Sequence, residues 1–145
     1  KIKREFREKL KSSSEIYSKL KKHKRIANIL IVDDNLQIFT KNILNKRTSF
    51  GKYRIFIGLN VHDYRYENLT YSVYSGEYYA HPHIRHGIAC FGEYKEGVEE
   101  YDKTGDLNYL VNILINFLEL AEGYEDAFIS RTDWLSQRTK ILKPA

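Results

Sequence analysis

The sequence predicts an α+β fold, an antiparallel β-meander packed on helices in two layers. Three observations carry that prediction. Short apolar-alternating segments separated by turn residues run from Ile29 to Tyr74. A long apolar stripe of helical period follows, from Leu107 to Ala121. The 145 residues leave room for one domain, a size at which roughly 68–70% of the unfolded surface goes inside.

Residues 1–25 predict a basic amphipathic helix ahead of a domain spanning 26–145. Ile2, Phe6, Leu10, Tyr17 and Leu20 form one stripe, and Ser12-Ser13-Ser14 weakens its middle, because serine offers the backbone competing hydrogen bonds. This segment carries 11 Lys/Arg against 3 Asp/Glu, whereas residues 26–145 carry 13 against 16. The net charge of +5 therefore belongs to the helix, and nucleic-acid contact is expected only through residues 1–25. The stripe either packs on the domain with its lysines solvated, or docks on an acidic partner or a membrane surface.

Ile29 and Ile31, then Leu36 and Ile38, flank the turn-prone Asp33-Asp34-Asn35 and read as two short strands. "NKRTSFGK" reads as a polar turn around Gly51. "YRIFIGLNV" is a strand with Tyr53, Ile55, Ile57 and Leu59 on one face and Phe56 on the other. "VHDYRYEN" reads as a turn, and "LTYSVYS" as an antiparallel strand alternating Leu69, Tyr71 and Val73 with Thr70, Ser72 and Tyr74. Three or four strands result.

The clearest helix is "DLNYLVNILINFLELAEG". Leu107, Leu110, Val111, Leu114, Phe117, Leu118 and Ala121 line one face, Asp106 is its expected N-cap and Gly123 its expected C-terminal stop. A last helical stretch around "DAFISRTDWLSQR" holds Trp134, the only tryptophan, which is expected to pack.

One cysteine excludes an internal disulfide and fits a reducing, cytoplasmic location. No apolar run approaches the roughly 18–20 residues that span a bilayer, so the chain reads as soluble with no membrane span. No methionine occurs, even at position 1, as in part of a longer or processed chain.

The chemistry-bearing stretch is "YYAHPHIRHGIACFG", Tyr78–Gly92, with three of the five histidines and the only cysteine. His81, His83, His86 and Cys90 give H-x-H-x-x-H-x-x-x-C, enough ligands for tetrahedral zinc but at no common zinc spacing. Cys90 as a nucleophile would need its thiolate supported by His81, His86 or Arg85. A small buried cysteine with histidines bonded to backbone is the structural alternative.

The strip also resembles the active-site strip of ubiquitin-conjugating enzymes, in a divergent bacterial or viral form. His81-Pro82 matches the family's His-Pro, Ile84 its following hydrophobic position, and Ala89-Cys90-Phe91 its thiol segment. Cys90 falls nine residues after His81, one fewer than the family's usual spacing. "DDNLQIFTKNI" resembles the family's first strand, "DLNYLVNILINFLELAEGYEDAF" its helix after the active site. The order of elements agrees from residue 1 to about 138. His83 stands where the family has asparagine, Phe91-Gly92 replaces Leu-Asp, and the proline-rich loop before the strip is absent.

The resemblance implies a ubiquitin-conjugating-enzyme-like two-layer sandwich. It implies that Cys90 carries a ubiquitin-like modifier as a thioester, received from an activating enzyme and passed to an amine. His81 and His83 would hold the thiol and the oxyanion, and His86 would tune the thiol. No metal or cofactor is required. The same resemblance admits a non-catalytic interaction or assembly module, as in RWD domains and inactive variants, within a larger protein complex.

Overall fold

The computed structural model describes residues 14–32, 35–58, 63–119 and 127–142. Of the expected N-terminal helix, α1 (Ser14–Lys22) is described, and residues 1–13 lie outside. Leu20 of the predicted stripe is fully buried. Just after α1, His23 Nε2–H donates to Asn112 Oδ1 (2.7 Å), and Arg25 pairs with Glu119 (2.6 Å).

The central sheet is antiparallel, built from β1 (Ile26–Val32), β2 (Asn35–Thr40), β5 (Tyr53–Gly58) and β6 (Asp63–Asn68) in that spatial order. An excursion between β2 and β5 forms a separate hairpin, β3 (Ile43–Asn45) and β4 (Thr48–Gly51). Alternation sets the faces: Leu36, Ile38, Tyr53, Ile55 and Ile57 are all but inaccessible, and Leu36↔Ile57 and Ile38↔Ile55 pair across the ladder. The predicted Tyr53, Ile55, Ile57 face is therefore found; Leu59 lies outside the described residues.

Two expected turns are strands instead. "VHDYRYEN" contributes β6, which pairs with β5 through Ile55↔Tyr66 and Ile57↔Tyr64. Tyr66 and Asn68 go to the core while Asp63 and Arg65 face out, so the segment has period 2 with tyrosine as its apolar member. "NKRTSFGK" supplies β4, and its turn is Lys46-Arg47, both at positive φ (49° and 73°).

After β6 come β7 (Tyr71–Ser72), β8 (Tyr74–Ser75), β9 (Glu77–His81), β10 (Ile84–Arg85) and β11 (Ile88–Ala89). "LTYSVYS" is thus two two-residue strands around the buried Val73, not one continuous strand. β8 to β11 form a second antiparallel ribbon in sequence order. A 3₁₀ turn (Gly92–Tyr94) leads into α2 (Lys95–Thr104), a helix the sequence reading does not assign, with Val98 as its buried residue.

The predicted long helix is α3 (Leu107–Glu119). Asp106 caps it, its carboxylate accepting from Tyr109 N–H (3.0 Å). Leu107, Leu110, Val111, Leu114, Phe117 and Leu118 are buried as the stripe requires, and Ile115 joins them. Gly123 lies outside the described residues. Tyr66 Oη–H donates to the Leu114 carbonyl (2.8 Å), tying helix to sheet.

α4 (Arg131–Gln137) starts at Ser130, whose hydroxyl accepts from Asp133 N–H. Trp134 packs, fully buried, with its Nε1–H on the Tyr79 carbonyl (2.9 Å). β12 (Thr139–Lys140) closes on β7. The architecture is mixed α+β with antiparallel sheets, and no helix among the described residues is long and apolar enough to cross a membrane.

Candidate thiol site

β9, β10 and β11 place the His81–Cys90 strip by two successive reversals. Pro82-His83 turns β9 into β10, and a register shift on β9 makes Ile84 oppose His81 while Arg85 opposes Tyr79. Proline suits the bend because its missing N–H costs no ladder bond there. The Pro82 carbonyl accepts from Phe128 N–H (2.9 Å), holding the bend to the segment before α4.

The second reversal is the two-residue turn His86-Gly87, with φ of 53° and 80°. Positive φ at both positions is the twist that matches a two-residue hairpin, and glycine at the second allows it at no steric cost. Gly87 also sits against the main sheet, its carbonyl accepting from Tyr66 N–H (2.9 Å). The ribbon is thereby sewn to the edge of β6.

Cys90 follows β11 directly. Ile84 opposes Ala89 and Arg85 opposes Ile88, so the next step of the ladder sets Cys90 opposite His83. The bond from Cys90 N–H to the His83 carbonyl (3.0 Å) completes it. Directly opposed residues share one face of an antiparallel pair, with Cβ atoms about 4.5–5.5 Å apart. Cys90 is half-buried and its thiol forms no disulfide.

The four expected site residues therefore separate into two groups. Cys90 and His83 are cross-strand neighbours, and His81 lies beneath them. His81 Nε2 carries its proton, because it donates to the Leu118 carbonyl (2.8 Å). Its Nδ1 accepts from His83 N–H (3.1 Å). Both ring nitrogens are spoken for, and burial drives the imidazole's pKa down to about 3, helped by His83 and opposed by the bond to Leu118. His81 is a neutral pin between the bend and α3.

His86 belongs elsewhere. It sits at the tip of the hairpin, three ladder steps or roughly 10 Å along the ribbon from the Cys90 level. More than half exposed, it lies 3.6 Å from Glu77, whose other carboxylate oxygen faces Arg85 at 3.5 Å. Among the described residues no group of three or more His, Cys, Asp or Glu side chains converges as a metal-ligand set.

A residue the sequence reading put only on the helix stripe organises the site. Phe117 of α3 has ring contacts with Tyr66 (6.1 Å), His81 (6.1 Å), His83 (6.1 Å), Phe91 (5.1 Å) and Tyr94 (6.0 Å). Phe91 follows Cys90 and His83 faces it, so one helix side chain grips both neighbours of the thiol. No sequence signal marks Phe117 out from the other stripe residues.

Beside the hairpin, an open groove of about 600 Å³ lies between Phe56, Gly58, Asp63 and Arg65 of the sheet and Tyr78 and His86 of the ribbon. Cys90 does not line it. Comparisons with models of known protein families, with curated proteins and with solved structures return no match.

Proposed function

We propose that the protein is a divergent carrier of a ubiquitin-like modifier, with Cys90 as the acyl-bearing thiol. The observation that carries the proposal is the position of that thiol. Cys90 is a half-buried residue one step past β11 and opposite the second histidine of the His81-Pro82-His83 bend, and the chain passes from it into helices packed through Phe117. The order bend, thiol, helix is the one the resemblance to ubiquitin-conjugating enzymes requires.

In this chemistry the Cys90 thiolate attacks the modifier's C-terminal carbonyl carbon, held as a thioester on the activating enzyme. A C–S bond to Cys90 forms and the donor thiolate leaves. A substrate amine then attacks the same carbonyl, the C–N bond forms, and Cys90 departs as thiolate while the amine's proton passes to water. His81 and His83 act as positioning residues: His81 holds the bend, and the His83 carbonyl fixes the Cys90 backbone. A lone thiol of this kind belongs in a reducing compartment.

A second use of the same fold is favoured by a specific observation. The His83 imidazole is 6% exposed and packed on His81 and Phe117, and the Cys90 N–H is already bonded. Both groups are held within the fold, as befits a non-catalytic module that assembles with protein partners.

Incubation with ubiquitin as its C-terminal mercaptoethanesulfonate thioester separates the two. The carrier reading expects a one-to-one adduct that dithiothreitol removes, formed faster per thiol than with free cysteine, and absent from Cys90→Ser. An adduct rate below that of free cysteine, with Cys90 alkylated by iodoacetamide only after denaturation, selects the assembly module instead.

A further inference from the structure

Four described arginines are neutralised by carboxylates: Arg25 by Glu119 (2.6 Å), Arg54 by Glu67, Arg65 by Asp63 (3.0 Å) and Arg85 by Glu77 (3.5 Å). The other three, Arg47, Arg131 and Arg138, have no acidic partner among the described residues, and each lies on or against the β3–β4 hairpin. Arg47 is in the β3–β4 turn, exposed and at positive φ. Arg131 opens α4 and donates from Nη2 to Thr48 Oγ1 (2.5 Å). Arg138 closes α4, donates from Nη1 to the Ser49 carbonyl (2.5 Å) and lies 4.4 Å over the Tyr71 ring. Two guanidinium groups thus reach one corner, the consecutive residues Thr48 and Ser49, next in sequence to the exposed Arg47.

The fold gains little from this arrangement. Arg131 and Arg138 are held by neutral oxygens, so no opposite charge offsets their mutual repulsion. Arg131 Nε is buried without a hydrogen-bond partner, a state that opposes folding. The acid on the same helix, Asp133, stands two residues from Arg131, a spacing at which helix side chains do not face each other. What the corner does present is a set of oriented guanidinium donors, Nη1 of Arg131 and Nη2 of Arg138 among them, pre-positioned by Thr48 and Ser49.

We propose that this corner binds a single phosphate group carried on a partner peptide. Planar guanidinium forks match a phosphate's oxygens, and two or three of them suit its double charge where one would serve a carboxylate. A polyanion such as nucleic acid is a poorer match, because residues 26–145 carry 13 Lys/Arg against 16 Asp/Glu and offer no continuing positive track. The site is independent of Cys90 and of the thioester reading.

The test is an NMR titration of the whole chain, following the arginine Nε–Hε signals, with O-phosphoserine as the probe and serine and glutamate as controls. O-phosphoserine is expected to give a saturable shift of the Arg131 and Arg138 signals that neither control gives. The double variant Arg131→Gln, Arg138→Gln is expected to weaken it by about tenfold or more, and Cys90→Ser to leave it unchanged. Should the double variant unfold, Arg47→Gln, exposed and with no hydrogen bond to lose, reports the same loss in smaller measure. No saturable shift, or an equal response to glutamate, overturns the phosphate site. A thymidine oligonucleotide that binds the same arginines more tightly than O-phosphoserine overturns the peptide assignment in favour of nucleic acid.

Discussion

Acidification from pH 7 to pH 5 is the sharpest probe of the His81 pin. The folded imidazole has its pKa lowered from 6.5 to about 3, chiefly by burial. Protonating it in place would also add a proton at Nδ1, which already accepts the His83 N–H. Below 6.5 the unfolded chain takes up a proton that the folded chain refuses, so the pin's contribution is complete above that pH and drains away as pH falls. Each pH unit in this window is worth about 1.4 kcal/mol, and integration from pH 7 to pH 5 gives a loss of roughly 2 kcal/mol. For a chain of this size that corresponds to a melting temperature lower by about 4–8 °C. The contributions of the other titratable groups are subtracted by a variant. His81→Gln keeps a donor for the Leu118 carbonyl but cannot become charged. Urea unfolding of both proteins at pH 7, 6 and 5 should show the wild type losing roughly 2 kcal/mol more than the variant. Parallel losses in the two proteins would falsify the claim that His81 is buried and neutral.

Two further outcomes follow from positions around the site. Asn68 uses its whole amide: Nδ2 donates to the Phe50 and Ala80 carbonyls (2.9 Å each) and Oδ1 accepts from Thr70 and Tyr71 N–H (2.9 Å each). Asn68→Ala orphans most of these, at about 3–5 kcal/mol in urea unfolding. Asn68→Asp recovers little of that, since a carboxylate has no donors for the two carbonyls. At Gly51 the backbone has φ of 97°, and a Cβ would meet Asn68 Oδ1 at 2.8 Å and Thr70 Cβ at 2.9 Å, whereas at Gly76, φ 78°, it would meet nothing within 4 Å. Gly51→Ala should therefore destabilise by about 1–3 kcal/mol more than Gly76→Ala, which has only the left-handed strain to bear; equal effects in thermal melts would contradict the packing around Asn68.

How much of this was written in the sequence depends on how local the cause is. The α3 stripe and its Asp106 cap were legible because seven apolar positions at helical spacing and one carboxylate decide them within the segment. The His81-Pro82 bend and the place of Cys90 just beyond it were legible for the same reason. β6 resembles a turn in the sequence because its apolar members are tyrosines, Tyr64 and Tyr66, alternating with Asp63, Arg65 and Glu67. The β3–β4 turn was placed at Gly51 because Lys46-Arg47 is an unusual pair to hold positive φ. α2 buries Val98 and shows no stripe to read. What no local pattern could reveal were partners distant in sequence. Asn68 meets Phe50 across 18 residues, and Arg131 meets Thr48 across 83. Asn, Thr and Arg are residue types that mostly face water, so nothing in any one of them points to the other.

The division of labour among the histidines constrains any chemistry at Cys90. His81 pins a bend through both ring nitrogens and so has none left to exchange a proton with the thiol, and with a pKa of about 3 it contributes no ionisation near neutral pH. His86, held at the hairpin tip beside Glu77, is too far along the ribbon to take that proton. Neither His81 nor His86 therefore forms with Cys90 a cysteine–histidine catalytic pair of the kind used by proteases. Acyl transfer between thiols does not need one: leaving and attacking sulfurs are alike, so the step is close to balanced and depends on presenting the thiol rather than on a resident base. In the proposed carrier, Cys90 held opposite His83, with Phe91 and His83 both packed against Phe117, would serve that presentation. Under the proposed carrier chemistry, neither His81 nor His86 is placed to accept the proton of an incoming amine.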